Sequence, residues 1–175
     1  MKAYEEAIRL DPTFSFAWDN MGDALYKHCR YNQALEAYEE AIRFNPTFSC
    51  PWSGKGNVLN SLSRYDEALE AYDEAIRLDP TNSDPWNGKG YAFDSLGRSD
   101  QAFDAFDEAI RRDPTNSSPW TGKGNLFDKL GRYAEALEAY QKAIRIEPTC
   151  VAPWNGKGNA LVNLVPFQLS KFRFC

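Results

Sequence analysis

Apolar positions along this chain follow a helical period, and the whole pattern recurs every 34 residues. Trp18, Trp52, Trp86, Trp120 and Trp154 keep that interval, and so do Pro12, Pro46, Pro80, Pro114 and Pro148. A fixed period of this length means stacked copies of one small unit. In the stretch 83–116, Trp86, Phe93 and Leu96 fall on one face of a helix around Gly90 and Ala92. Ser83 is placed to cap that helix through its hydroxyl, Pro85 suits its first turn, and Gly97 suits its end. Ala102, Phe103, Phe106, Ala109 and Ile110 repeat the helical spacing, and Asp113-Pro114 stops the second helix, because a residue before proline is pushed out of the helical region. The pattern predicts a helix hairpin, with helix A over about 83–96 and helix B over about 99–112.

Small residues form columns of their own. Ala34, Ala68, Ala102 and Ala136 sit early in helix B, and Ala41, Ala75, Ala109 and Ala143 sit late. Glycine recurs mid-way along helix A at Gly22, Gly56, Gly90, Gly124 and Gly158. Small side chains let helices approach closely while large rings fill the gaps beside them. Neither helix can bury its apolar face alone, so the units must stack. Helix B also carries Glu39 with Arg43, Asp73 with Arg77 and Asp107 with Arg111. At i,i+4 spacing these read as ion pairs on a solvated face.

The fold class expected is all-α: a solenoid of stacked antiparallel helix hairpins in one array. Residues 1–14 form a half repeat matching only helix B. Full repeats follow over 15–48, 49–82, 83–116 and 117–150, with a partial repeat over 151–175. In that last unit Val165-Pro166 stands where Gly131-Arg132 would recur. Beyond it Phe167 and Phe174 keep the helix-B register of Tyr133 and Tyr140, which predicts a short helix over about 167–174 folded back onto 151–164.

Charge and rare residues narrow the function. The chain has 175 residues, a net charge of −5 and a pI near 5.0, a poor balance for binding a phosphate backbone. No apolar run is long enough for a membrane span, and residues 1–6 carry acids without an apolar stretch, so neither span nor signal peptide is expected and the cytoplasm is the expected compartment. Cys29, Cys50, Cys150 and Cys175 form no CxxC pair, and His28 is the only histidine. They read as free thiols, with no metal site and no cofactor. No phosphate loop is present and no nucleophile stands beside a base, so the segment is not expected to be an enzyme.

Trp52, Gly56, Ala68, Tyr72, Ala75 and Pro80, followed by Trp86, Gly90, Ala102, Phe106, Ala109 and Pro114, resemble the tetratricopeptide repeat. The resemblance covers nearly the whole chain. It implies a right-handed superhelix whose A helices line a concave groove, and a protein–protein interaction module. One column departs from the family: where leucine is usual before the glycine, Met21 is followed by Lys55, Lys89, Lys123 and Lys157. These stems are expected to pack with their ammonium groups reaching past the glycines to water; a functional lysine stripe is the alternative.

On helix A, the residues opposite the leucine column would line the groove. The candidate peptide-binding residues are Asp19 and Asp23 in the first unit, Ser53, Asn57 and Asn60 in the second, and Asn87, Tyr91 and Asp94 in the third. Thr121, Asn125 and Asp128 follow in the fourth, and Asn155 and Asn159 in the last. The stripe holds no Lys or Arg. Chaperone-binding family members clamp a terminal carboxylate with Lys, Arg and Asn, and those cations are missing here, with Lys27 and Lys129 only flanking. Asparagine both donates and accepts, so Asn57, Asn125 and Asn159 suit a peptide backbone. The aspartates favour a neutral or basic segment.

The function expected is therefore a non-catalytic scaffold holding a peptide segment of a protein partner, with no nucleic acid and no membrane. The alternative is a structural or substrate-recruiting array within a larger protein whose catalytic part lies elsewhere. Self-association through the exposed ends of the stack is a further route to a partner.

Overall fold

The computed structural model describes residues 1–171, with side chains through Leu164. Ten helices follow one another, and there is no strand among the described residues: α1 (Lys2–Leu10), α2 (Ser15–Lys27), α3 (Tyr31–Phe44), α4 (Ser49–Ser61), α5 (Tyr65–Leu78), α6 (Asp84–Ser95), α7 (Ser99–Arg112), α8 (Ser118–Lys129), α9 (Tyr133–Ile146) and α10 (Val151–Lys171). From α2 to α9 they pair as hairpins, and the hairpins stack as an all-α helical-repeat solenoid. Successive A helices touch one another (α2 with α4, α4 with α6, α6 with α8, α8 with α10), whereas successive B helices make few contacts. The A layer is therefore the inner one.

In α3, α5, α7 and α9 the helix-B ring is clamped between two glycines. Tyr72 is fully buried, and a Cβ added at either Gly56 or Gly88 would fall within 3 Å of its ring. Tyr38 lies likewise between Gly22 and Gly54, Phe106 between Gly90 and Gly122, and Tyr140 between Gly124 and Gly156. One glycine belongs to the ring's own hairpin and the other to the next, so a single aromatic joins the two units. The alanine columns close the remaining space: Ala34, Ala68, Ala102 and Ala136 are fully buried.

The turn from helix A to helix B needs one left-handed residue. Gly97 and Gly131 supply it with φ of 71°, but Cys29 and Ser63 adopt it too, at 56° and 61°. A side chain there costs about 1–2 kcal/mol. The same position in the last unit is Val165, whose branched Cβ opposes a positive φ. There the chain does not turn: α10 runs on through Lys171. This corrects the expected break at 165–166 and the separate helix over 167–174. The packing of Phe167, Phe172 and Phe174 lies outside the described residues.

Three other expectations change. Ser83 makes no side-chain cap bond; instead Asn82 Oδ1 accepts the Asp84 N–H at 2.9 Å, and Asn116 serves Ser118 in the same way at 2.9 Å. Arg43, Arg77 and Arg111 pair one residue closer in sequence, at i,i+3, with Glu40, Glu74 and Glu108. Their expected partners are taken by the lysine column. Lys55 donates to Glu39 at 2.9 Å, Lys89 to Asp73, Lys123 to Asp107 at 2.5 Å and Lys157 to Gln141 Oε1 at 2.6 Å. Each ammonium also sits 5.3–5.8 Å from the centre of its own helix's tryptophan ring. The column thus ties each helix A to the preceding helix B instead of ending free in water.

Candidate functional site

The inner face is built from one stripe on each A helix, and helix-B tyrosines reach it from behind. Tyr72 donates its hydroxyl to Asn57 Oδ1 at 2.8 Å, and Tyr140 donates to Asn125 Oδ1 at 2.8 Å. Tyr38 donates to Asp23 Oδ1 at 2.6 Å. Burial first, and then the Asp23 carboxylate, raise the Tyr38 phenol, while burial beside Asp128 pushes Tyr140 up to about 12, so both remain donors near neutral pH. These bonds occupy the carbonyl oxygen of Asn57 and Asn125 and fix each amide plane. The N–H pairs of both amides make no hydrogen bond among the described residues.

The third unit exchanges partners. Its helix-B ring is Phe106, with no hydroxyl, and the asparagine position is Tyr91, whose ring packs edge-on against Phe106 at 5.2 Å. Tyr91 then donates across to Ser118 O at 3.3 Å. Asn87 donates to Ser118 Oγ at 3.1 Å, and Lys129 reaches Asp94 Oδ1 at 2.8 Å. Asn87, Tyr91 and Asp94 therefore form struts between α6 and α8. Lys129, the cation nearest the stripe there, is held by Asp94 and is not free to clamp a carboxylate.

The stripe residues outside the third unit differ in burial. Ser53 and Thr121 are buried, and Thr121 Oγ1 donates to Ser117 O at 3.1 Å at the start of its own helix. Asp19, Asn57, Asn60 and Asp128 are half-buried, and Asp23, Asn125, Asn155 and Asn159 are exposed. Asp19 pairs with no cation among the described residues. Burial, then the nearby Asp23, push its carboxyl up to about 7. The aromatic pair Phe16 and Phe48 stands at the same end, with ring centres 4.5 Å apart and Phe16 half exposed. Burial and Asp19 also raise the Cys50 thiol.

Sequence reasoning missed the tyrosine hydroxyls. Their signal is a matched pair fifteen residues apart: Asp23 with Tyr38, Asn57 with Tyr72 and Asn125 with Tyr140, against Tyr91 with Phe106. An acceptor stands on helix A wherever helix B brings a hydroxyl. Among the described residues no group of His, Cys, Asp and Glu has the geometry of a metal site, and no helix is long and apolar enough to cross a membrane.

Family models described as tetratricopeptide repeat match residues 15–48, 53–117 and 118–150. No curated protein matches the sequence significantly. Among solved structures, TTC0263, described as a thermophilic tetratricopeptide-repeat protein of Thermus thermophilus, aligns with a TM-score of 0.82 at 20% identity, over 91% of this chain and 87% of that one. MamA aligns at 0.69 and 22% identity, over 84% and 86%. YrrB, described as having an unusual peptide-binding site, aligns at 0.66 and 19% identity, over 91% and 82%. At these identities the likeness is one of fold.

Proposed function

The chain belongs to the tetratricopeptide-repeat family, and on that premise we propose that it is a non-catalytic scaffold holding an extended peptide of a protein partner along its inner face. The observation that carries this reading is the fixed orientation of Asn57 and Asn125. Each has its carbonyl oxygen engaged by a buried tyrosine, which leaves the amide protons for carbonyl groups of a bound main chain. Donors aimed at main chain take many sequences, so selectivity comes from the flanking charge. The stripe holds no basic side chain, and Asp19 and Asp23 lack cation partners among the described residues. A neutral or basic segment fits that field and an acidic tail does not. The fold neighbour YrrB, whose described character is peptide binding, is consistent with such a role.

The test is an array of immobilised peptides of varied charge, probed with the native chain and with an Asn57→Asp, Asn125→Asp double variant. Aspartate keeps the oxygen that accepts the tyrosine hydroxyl, as Asp23 does for Tyr38, and removes the donors. The proposal expects neutral or basic peptides to bind the native chain, acidic-tailed peptides not to, and neutral hits to be lost in the folded double variant. Undiminished binding by that variant, or a preference for free acidic carboxylates, would overturn it.

A further inference from the structure

Among the described residues, the outer side of α10 lacks the helix-B cover that the earlier A helices have. In the first three units the apolar residue seven after tryptophan is sealed by the following helix B: Leu25 is 3% exposed, Leu59 1% and Phe93 9%. Leu161 holds the same position and is 46% exposed, and Trp154 is 50% exposed. The glycines agree. A Cβ at Gly22, Gly56, Gly90 or Gly124 would meet an aromatic ring within 3 Å, whereas at Gly158 no described atom lies within 4 Å. The face is bare because α10 continues straight across the residues where the other A helices turn. Beside it a cleft of about 420 Å³ opens between α9 and α10, with Leu137 and Leu161 on its walls.

The matching element stands at the opposite end of the stack. Residues 3–9 of α1, Ala-Tyr-Glu-Glu-Ala-Ile-Arg, are identical to residues 37–43 of α3. In α3 the segment buries Ala37, Tyr38 and Ala41, but in α1 no residue is buried. The neighbouring α2 cannot clamp Tyr4 as later units clamp their rings. Gly54, Gly88, Gly122 and Gly156 stand where α2 has Asn20, and a Cβ at those glycines falls within 3 Å of the ring. Tyr4 is left half-exposed.

We propose that the bare face of α10 accepts α1 of a second copy, with Tyr4 seated on Gly158, so that molecules join head to tail. The contact repeats one already made within the chain, by Tyr38 on Gly22, and so needs no new packing geometry. Donor and acceptor faces lie at opposite ends, which makes the association heterologous and open-ended rather than a closed dimer.

The test is sedimentation velocity over a concentration series for the native chain, for Tyr4→Ala, for Gly158→Ala and for an equimolar mixture of the two variants. Neither change touches the buried core, and alanine in place of a helical glycine favours the helix. The native chain is expected to grow in mass with concentration without stopping at a dimer, and each variant to associate about tenfold or more weakly. The mixture should form one-to-one dimers and stop there, because each variant keeps only one competent end. A native chain monomeric at every concentration, as a C-terminal segment folded onto its own α10 would give, overturns the proposal. So does assembly of either variant at native strength, or a mixture that stays monomeric.

Discussion

Gly56→Ala tests the ring clamp that joins the units. The new Cβ would lie 2.5 Å from Tyr72 Cε1 and 2.7 Å from Cδ1, against the roughly 3.5–4.0 Å at which carbons rest. The ring must retreat by about an ångström, and its other side is already closed by Gly88. Overpacking of this kind costs about 1–3 kcal/mol. Alanine offsets about 1 kcal/mol through its better helix propensity. With the ring closed on both sides the cost falls at the upper end, about 2–3 kcal/mol, so the net expectation is destabilisation by about 1–2 kcal/mol, and because Tyr72 bridges two hairpins the loss falls on both. With a urea dependence of about 2 kcal/mol/M, the midpoint followed by circular dichroism should drop by about 0.5–1 M. Gly158→Ala, melted at a protein concentration low enough to keep the chain monomeric, is the control, at an equivalent helical position where no described atom of its own chain lies within 4 Å of the new Cβ. It should gain about 0.5–1 kcal/mol. A Gly56→Ala midpoint equal to or above that of the native chain would refute the clamp.

Other outcomes follow from single contacts. Ser63→Gly relieves a left-handed side chain and should raise stability by about 1 kcal/mol in the same melts, while Gly97→Ala should lower it by a similar amount. Asn57→Ala strands the buried Tyr72 hydroxyl and should cost about 1–3 kcal/mol, whereas Asn57→Asp, which keeps the acceptor, should stay close to native. Asp19 gives a pH signature, with Asp23 on its own helix, Tyr38 of α3 and Cys50 of α4 as its titratable neighbours. Its folded pKa lies above the unfolded one, so the native state holds the extra proton. Stability from this group therefore falls as pH rises from about 4 to about 7 and is flat above. Asp19→Asn should flatten that part of a stability–pH profile, and an unchanged slope would show that another group carries it.

The fold was legible because its packing is local and repeated. The tryptophan, glycine and alanine columns each meet a neighbour at a fixed offset, so reading one unit reads the stack. The third hairpin, expected over about 83–96 and 99–112, is observed at Asp84–Ser95 and Ser99–Arg112. The ion pairs were less legible. Spacing rules look within one helix, whereas Glu39, Asp73 and Asp107 answer lysines sixteen residues on, across a hairpin boundary. The last unit misled because matching phenylalanines suggested a second helix while Val165 at the left-handed position removed the turn. On the inner face, helical angle alone gave the stripe. It did not reveal that Ser53 and Thr121 are buried, or that tyrosines from helix B would donate to the oxygens of Asn57 and Asn125.

The most direct test of the main-chain reading watches those amides. In a nitrogen–proton correlation spectrum, the side-chain N–H pairs of Asn57 and Asn125 give their own signals, as do the indole N–H groups of Trp52 and Trp86 on the other side of the same layer of helices. Titration with a neutral peptide selected on the array should shift both asparagine amides in step with binding and leave the indole signals in place. Saturable binding that moves the indoles while both asparagine amides stay fixed would contradict the account.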